Sequence, residues 1–259
     1  MDLTIPVDGG EVWAEDTGGG GTPLVLIHPG WGDSTIWDPL LGRLAARHRV
    51  IRYDARGYGR SPAPVGPFTQ LGDLTAVLDR VGVPRAALVG HSSGGGSAIG
   101  LALAQPERVS ALVLVAPGVR DYPWPQEDSY FKEFEALFTA GDREGLVGLG
   151  LRTWAVTGAD PAAEAQVRSA VAAFFRQGDH ERPDPPAYPG LGEIRATSVL
   201  AIGDLDDPMV RECSKRIAGR IPGCRMVTVP GADHLLPLRA PGRLAGLITE
   251  HVRQGSRAG

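Results

Sequence analysis

A serine, an aspartate and a histidine, far apart in the chain, are of the types that acyl transfer requires. Ser92 lies in Gly90-His91-Ser92-Ser93-Gly94, where the apolar run Ala86 to Val89 gives way to a helix-like stretch, Ser93 to Gln105. A G-x-S-x-G at a strand-to-helix turn tolerates a strained serine, because flanking glycines remove side chains that would collide. The turn then pushes the hydroxyl out above the sheet edge. The N–H of Ser93 stands at the positive end of the helix dipole, facing any negative charge that forms beside Ser92, and so supplies one oxyanion donor. A phosphate loop is excluded: Gly90 to Gly96 has neither a G-K-[ST] ending nor G-x-G-x-x-G spacing.

A nucleophilic serine needs a base, and the base needs an orienting carboxylate. Of six histidines, His48, His180 and His251 occupy positions where a solvated surface side chain is expected. His91 is turned away from Ser92 by the elbow and is expected to pack beneath it. His234 follows the last apolar run, in Val229-Pro230-Gly231-Ala232-Asp233-His234, where a base can reach over the carboxyl edge of a parallel sheet. The preceding strand end offers Gly203-Asp204-Leu205-Asp206-Asp207-Pro208. Asp207 before a proline reads as a helix N-cap and Asp204 as a turn former, which leaves Asp206 as the orienter. Asp121, after the run Ala111 to Val115, is the rival acid.

The elements that must hold these groups are legible as alternating runs. Apolar segments at Leu24–His28, Val50–Tyr53, Ala86–Val89, Ala111–Val115, Ser198–Ile202 and Met226–Val229 suit buried parallel strands. Helical stretches at Ile36–Arg47, Gln70–Val81, Ser93–Gln105, Pro208–Arg220 and Gly242–Val252 separate them, and Asp8-Gly9-Gly10 signals an opening hairpin. The pattern predicts an α/β fold: a mostly parallel sheet with helices on both faces. The alternation breaks over 119–192, which holds ten of the sixteen aromatic residues. A helical lid is expected there, inserted after the sixth strand, over a core of 1–118 and 193–259. Trp31, Trp124, Phe131, Phe134 and Trp154 are expected to bind substrate in an apolar cavity. The alternative, that the lid phenylalanines form the lid's own core, stays open. Glu127 and Asp128 favour a neutral or weakly polar substrate.

The chain has 259 residues, 42% hydrophobic and 22% charged, with a net charge of -4, which fits one soluble globular unit. Only two of its 26 basic residues are lysines, and no basic patch suggests nucleic acid as a partner. No run approaches the ~18 apolar residues of a membrane span, and Met1 to Gly10 lacks a signal-peptide pattern, so a cytoplasmic protein with Cys213 and Cys224 reduced is expected.

The chain order Ser92, Asp206, His234 is nucleophile, acid, base. With His28-Pro29-Gly30-Trp31-Gly32, Trp37 and Tyr53 to Ser61, these motifs resemble the α/β-hydrolase superfamily along essentially the whole chain. More narrowly, they resemble small bacterial esterases and lactonases such as the 3-oxoadipate enol-lactonases. The resemblance implies a Ser92–His234–Asp206 triad acting on a small-molecule ester or lactone, with no cofactor and no metal. It makes Gly30 the second oxyanion donor and has His28 fix that loop. Because the loop reads His-Pro-Gly rather than His-Gly-x, Trp31 is the alternative donor. Serine at 92 excludes the carboxylate nucleophile of haloalkane dehalogenases and epoxide hydrolases. Carbon-carbon bond hydrolysis, cofactor-free perhydrolysis and a weakly catalytic ligand sensor stay open, as does homodimerisation through the lid.

Overall fold

The computed structural model describes residues 1–125 and 129–255. Asp8-Gly9 turns the hairpin between β1 (Asp2–Val7) and β2 (Gly10–Asp16), with Gly9 at φ 68, where a side chain would be strained. The apolar runs form β3 (Leu24–Ile27), β4 (Val50–Tyr53), β5 (Ala86–His91), β6 (Val109–Val115), β7 (Thr197–Gly203) and β8 (Arg225–Val229). The order across the sheet is β1-β2-β4-β3-β5-β6-β7-β8, antiparallel through β4 and parallel from there on.

Side chains alternate across the sheet, so each central strand feeds two cores. Leu24, Leu26, Ala87 and Val89 pack on one face with α1 (Asp38–Ala45) and α9 (Pro241–Gly255). Val25, Ile27 and Leu88 pack on the other with α2 (Gln70–Arg80), α3 (Ser93–Ala104) and α7 (Pro208–Arg220). Strands covered on both faces are apolar throughout, which is why they read as unbroken runs. The strand β3 pairs with β4 on one side and β5 on the other. The chain therefore reverses its winding there, and such a switch point opens a crevice at the carboxyl ends of the strands.

Between β6 and β7 lie α4 (Ser129–Thr139), α5 (Arg143–Trp154) and α6 (Pro161–Gln177). Asp142 and Asp160 start α5 and α6 by accepting the N–H groups of Gly145 and Ala163. The short α8 (Leu236–Arg239) follows directly on His234. Asp207 caps α7 by accepting Met209 N–H, with Pro208 next, as expected. His48 and His251, expected at the surface, are buried instead: their rings meet the carbonyls of Thr22 and Thr197, and burial holds both below the usual histidine range. Among the described residues, no helix is long and apolar enough to cross a membrane.

Candidate active site

Ser92 sits at φ 53, ψ -117, a strained conformation for a residue with a side chain. Its backbone is clamped: its N–H donates to Val115 O and its carbonyl accepts from Gly95 and Gly118, each at 2.9 Å. The flanking glycines are required by close approach. A Cβ on Gly90 would lie 2.4 Å from Gly94 O, and one on Gly94 would lie 2.5 Å from the carbonyls of Ile27 and His28. The helix α3 thus begins against the end of β3, which sets Ser93 beside Gly30: a Cβ on Gly30 would lie 3.3 Å from Ser93 Oγ. Both expected oxyanion residues line one cavity, and the first N–H groups of α3 have no partner within the helix.

The expected base and acid meet. His234 Nδ1 lies 3.1 and 3.0 Å from Asp206 Oδ1 and Oδ2, and the two residues are 1% and 3% exposed. Nδ1–H donates to the carboxylate, which leaves the lone pair on Nε2 as the basic site. Asp206 Oδ1 also accepts Asp207 N–H at 2.7 Å. Asp121, the rival acid, stands half-exposed against Arg120. No hydrogen bond joins Ser92 Oγ to His234 in this structure.

The loop that carries Gly30 is fixed by His28. Ala55 N–H donates to His28 Nε2 at 2.9 Å, so Nδ1 carries the hydrogen and donates to Pro29 O at 2.8 Å. Asp54 accepts Ser34 N–H at 2.8 Å from the same side. His91 packs under the elbow as expected, yet it also supports the base: its Nε2–H donates to His234 O at 2.9 Å and the two rings lie 5.0 Å apart. Complete burial, with His234 close by, holds His91 well below the usual histidine range.

A cavity of about 330 Å³ runs from Gly30 and Ser93 between Tyr53, Tyr58, Val119 and Trp124 to a rim of Arg120, Glu181 and Asp184. Of the five aromatic residues expected to bind substrate, Trp124 lines it. Trp31, Phe131, Phe134 and Trp154 do not. Trp31 donates to Tyr130 OH at 2.8 Å and meets Phe134 and Phe174 edge-on, so those rings pack the insertion onto the loop after β3. Phe131 is 40% exposed. Trp154 lies 4.6 Å from the His234 ring and acts as a wall for the base. The acid groups at Glu127 and Asp128 lie outside the described residues. The rim acids are Glu181 and Asp184, which the sequence did not reveal, and partial loss of water pushes both carboxyls up. Among the described residues, no group of three or more histidine, cysteine or acidic side chains is placed to hold a metal ion.

The sheet order, the elbow after β5 and the acid and base loops after β7 and β8 define an α/β hydrolase. A model of the alpha/beta hydrolase family matches residues 24–247, and the chain belongs to that family. It is 32% identical to rhodomycin D methylesterase DauP of Streptomyces sp. (strain C5), over 93% of this chain and 95% of that protein. It is 45% identical over 100 residues to a protein named carbamate hydrolase RutD from Azorhizobium caulinodans; that match spans only 38% of this chain and 38% of that relative. Among solved structures, an enol-lactonase from Burkholderia xenovorans LB400 matches with a TM-score of 0.81 at 22% identity, covering 97% of this chain and all of that one, a likeness of fold.

Proposed function

We propose that the protein hydrolyses a neutral carboxylic ester or lactone through an acyl-enzyme on Ser92. The observation that carries this reading is the buried Asp206–His234 pair at the carboxyl edge of the sheet that presents the Ser92 elbow. Ser92 Oγ attacks the carbonyl carbon as its proton passes to His234 Nε2. The N–H groups of Ser93 and Gly30 donate to the oxyanion, each worth about 3 kcal/mol in the transition state. As the tetrahedral intermediate collapses, His234 returns the proton to the leaving alkoxide. Water, deprotonated by the same nitrogen, then frees the acid. Asp206 orients the ring and stabilises the imidazolium.

The methylesterase likeness, at 32% identity along nearly the whole chain, supports an ester over a carbamate, whose named relative from Caulobacter segnis matches over 83% of the chain at 28%. Two rim carboxyls against one guanidinium disfavour substrates with a second negative charge. Cytoplasmic residence fits the two free thiols of Cys213 and Cys224. The test is a hydrolysis screen of acyl esters against lactones of graded ring size, with Ser92→Ala as blank. Turnover by wild type alone supports the reading; equal turnover by both removes Ser92 from the nucleophile role.

A further inference from the structure

Two buried carboxylates tie the inserted helices to the two loops on which the proposed chemistry depends. The first is Asp33, three residues after Gly30. Its Oδ2 accepts from Ser169 Oγ of α6 at 2.5 Å, while its backbone N–H donates to Gln166 Oε1 of α6 at 3.0 Å. Gln166 Nε2 goes on to Thr35 Oγ1 at 2.7 Å. The second is Asp233, next to His234 and fully buried. Its Oδ2 accepts from both the N–H and the hydroxyl of Thr157, at 3.0 and 2.6 Å, on the segment joining α5 to α6. Its Oδ1 accepts Leu235 N–H at 3.0 Å. Arg239 Nε bridges both oxygens at 3.1 Å, while its Nη2 donates to Gly158 O and its Nη1 to Asp160, the N-cap of α6.

A buried carboxylate is costly unless its lone pairs are filled, so such groups fix geometry where they occur. Here part of that filling comes from the insertion, from Ser169 and Gln166 on Asp33 and from Thr157 on Asp233. The segment that ends in Trp154 also sets that ring against His234. We propose that Asp33 and Asp233 are positioning residues through which the insertion sets the placement of the oxyanion donor Gly30 and the base His234. This rests on the reading of Ser92 as nucleophile. On this account the insertion is part of the frame that aligns the reaction, and loosening it lowers turnover more than substrate affinity.

Removing Asp233 would strand Arg239 and endanger the fold, so the test is made from the insertion side, at the exposed Thr157 and the half-buried Ser169. The intact chain is assayed with p-nitrophenyl butyrate and with a fluorophosphonate probe. Thr157→Val is expected to lower kcat and the labelling rate of Ser92 by about tenfold, with KM within about twofold, since small misplacements cost turnover steeply. Thr157→Ser, which keeps the hydroxyl donor, is expected to restore both. Ser169→Ala is expected to cost about fivefold, and the two losses to multiply, because they act on separate loops. Arg168→Gln, which breaks the exposed pair with Glu144 within the insertion, is the control and is expected to match wild type. The inference is overturned if Thr157→Val and Ser169→Ala retain wild-type kcat and labelling, or if Arg168→Gln loses as much as they do. A wild type that is not labelled at Ser92 would instead overturn the nucleophile reading, and the inference with it.

Discussion

The two loops flanking Ser92 are held by different forces. The loop that carries His234 is held by buried carboxylates: Asp206 accepts from His234 and Asp233 pairs with Arg239, both almost without exposure, with His91 on the His234 carbonyl. The oxyanion loop is held by hydrogen bonds to its own backbone, from His28 on Pro29 O, from Asp54 on Ser34 N–H and from Gln166 on Asp33 N–H. The division suits the work of each. In the proposed reaction the His234 imidazole takes up a proton and needs a fixed counter-charge, whereas the loop proposed to offer N–H groups needs only to keep their direction.

The largest expected effect follows from the charged side. Asp206→Asn keeps the shape of the pair but no longer fixes the tautomer with Nδ1–H, and kcat is expected to fall by about 10⁴-fold with the melting temperature little changed. A loss below tenfold in steady-state kinetics would mean that the base loop is held otherwise. On the other side, His28→Ala unfastens Pro29 O and strands Ala55 N–H, and kcat is expected to fall by about 10²-fold, the scale of one oxyanion donor. This variant should also melt earlier, because a buried donor loses its partner. Full activity in His28→Ala would show that the oxyanion loop holds its direction without it.

The smallest effect is in stability and separates the loops by pH. Burial alone would raise the Asp33 carboxyl, but the hydrogen bonds from Ser169 and Thr35 outweigh burial and hold it below the usual range. A carboxyl depressed in the folded state stabilises the fold above its unfolded value of about 3.9, and that contribution is lost as pH falls through the folded value. Asp33→Asn is therefore expected to melt below wild type at pH 7, with the gap closing as the pH drops under about 4. Thermal melts across this range check it, and a gap that stays constant or widens in acid contradicts it.

Much of this arrangement is written locally. Buried parallel strands are continuous apolar runs, so β3 to β7 are legible; the edge strand β8, with only Val229 buried, shows as a shorter run, and Ser92, Asp206 and His234 each follow one of these runs. The helix α5 is not, because Gly145, Gly148 and Gly150 weaken its pattern. Gly150 is demanded by packing, since a Cβ there would lie 2.5 Å from Trp31. Aromatic content announces an apolar insertion without saying which rings face a cavity: Trp124 does, while Phe134 and Trp31 bury each other. The roles of Asp33 and Asp233 are invisible in sequence because their partners Ser169 and Thr157 stand 136 and 76 positions away. Only the folded chain brings those residues into contact.

In the proposed reaction Ser92 is a nucleophile activated by His234 and Asp206. Fluorophosphonate treatment followed by peptide mass analysis tests it most directly. A single adduct is expected on the peptide containing Ser92, formed rapidly in wild type, far more slowly in Asp206→Asn and absent in Ser92→Ala. An unmodified Ser92 in folded wild-type protein, or an adduct that forms equally in Ser92→Ala, would contradict it.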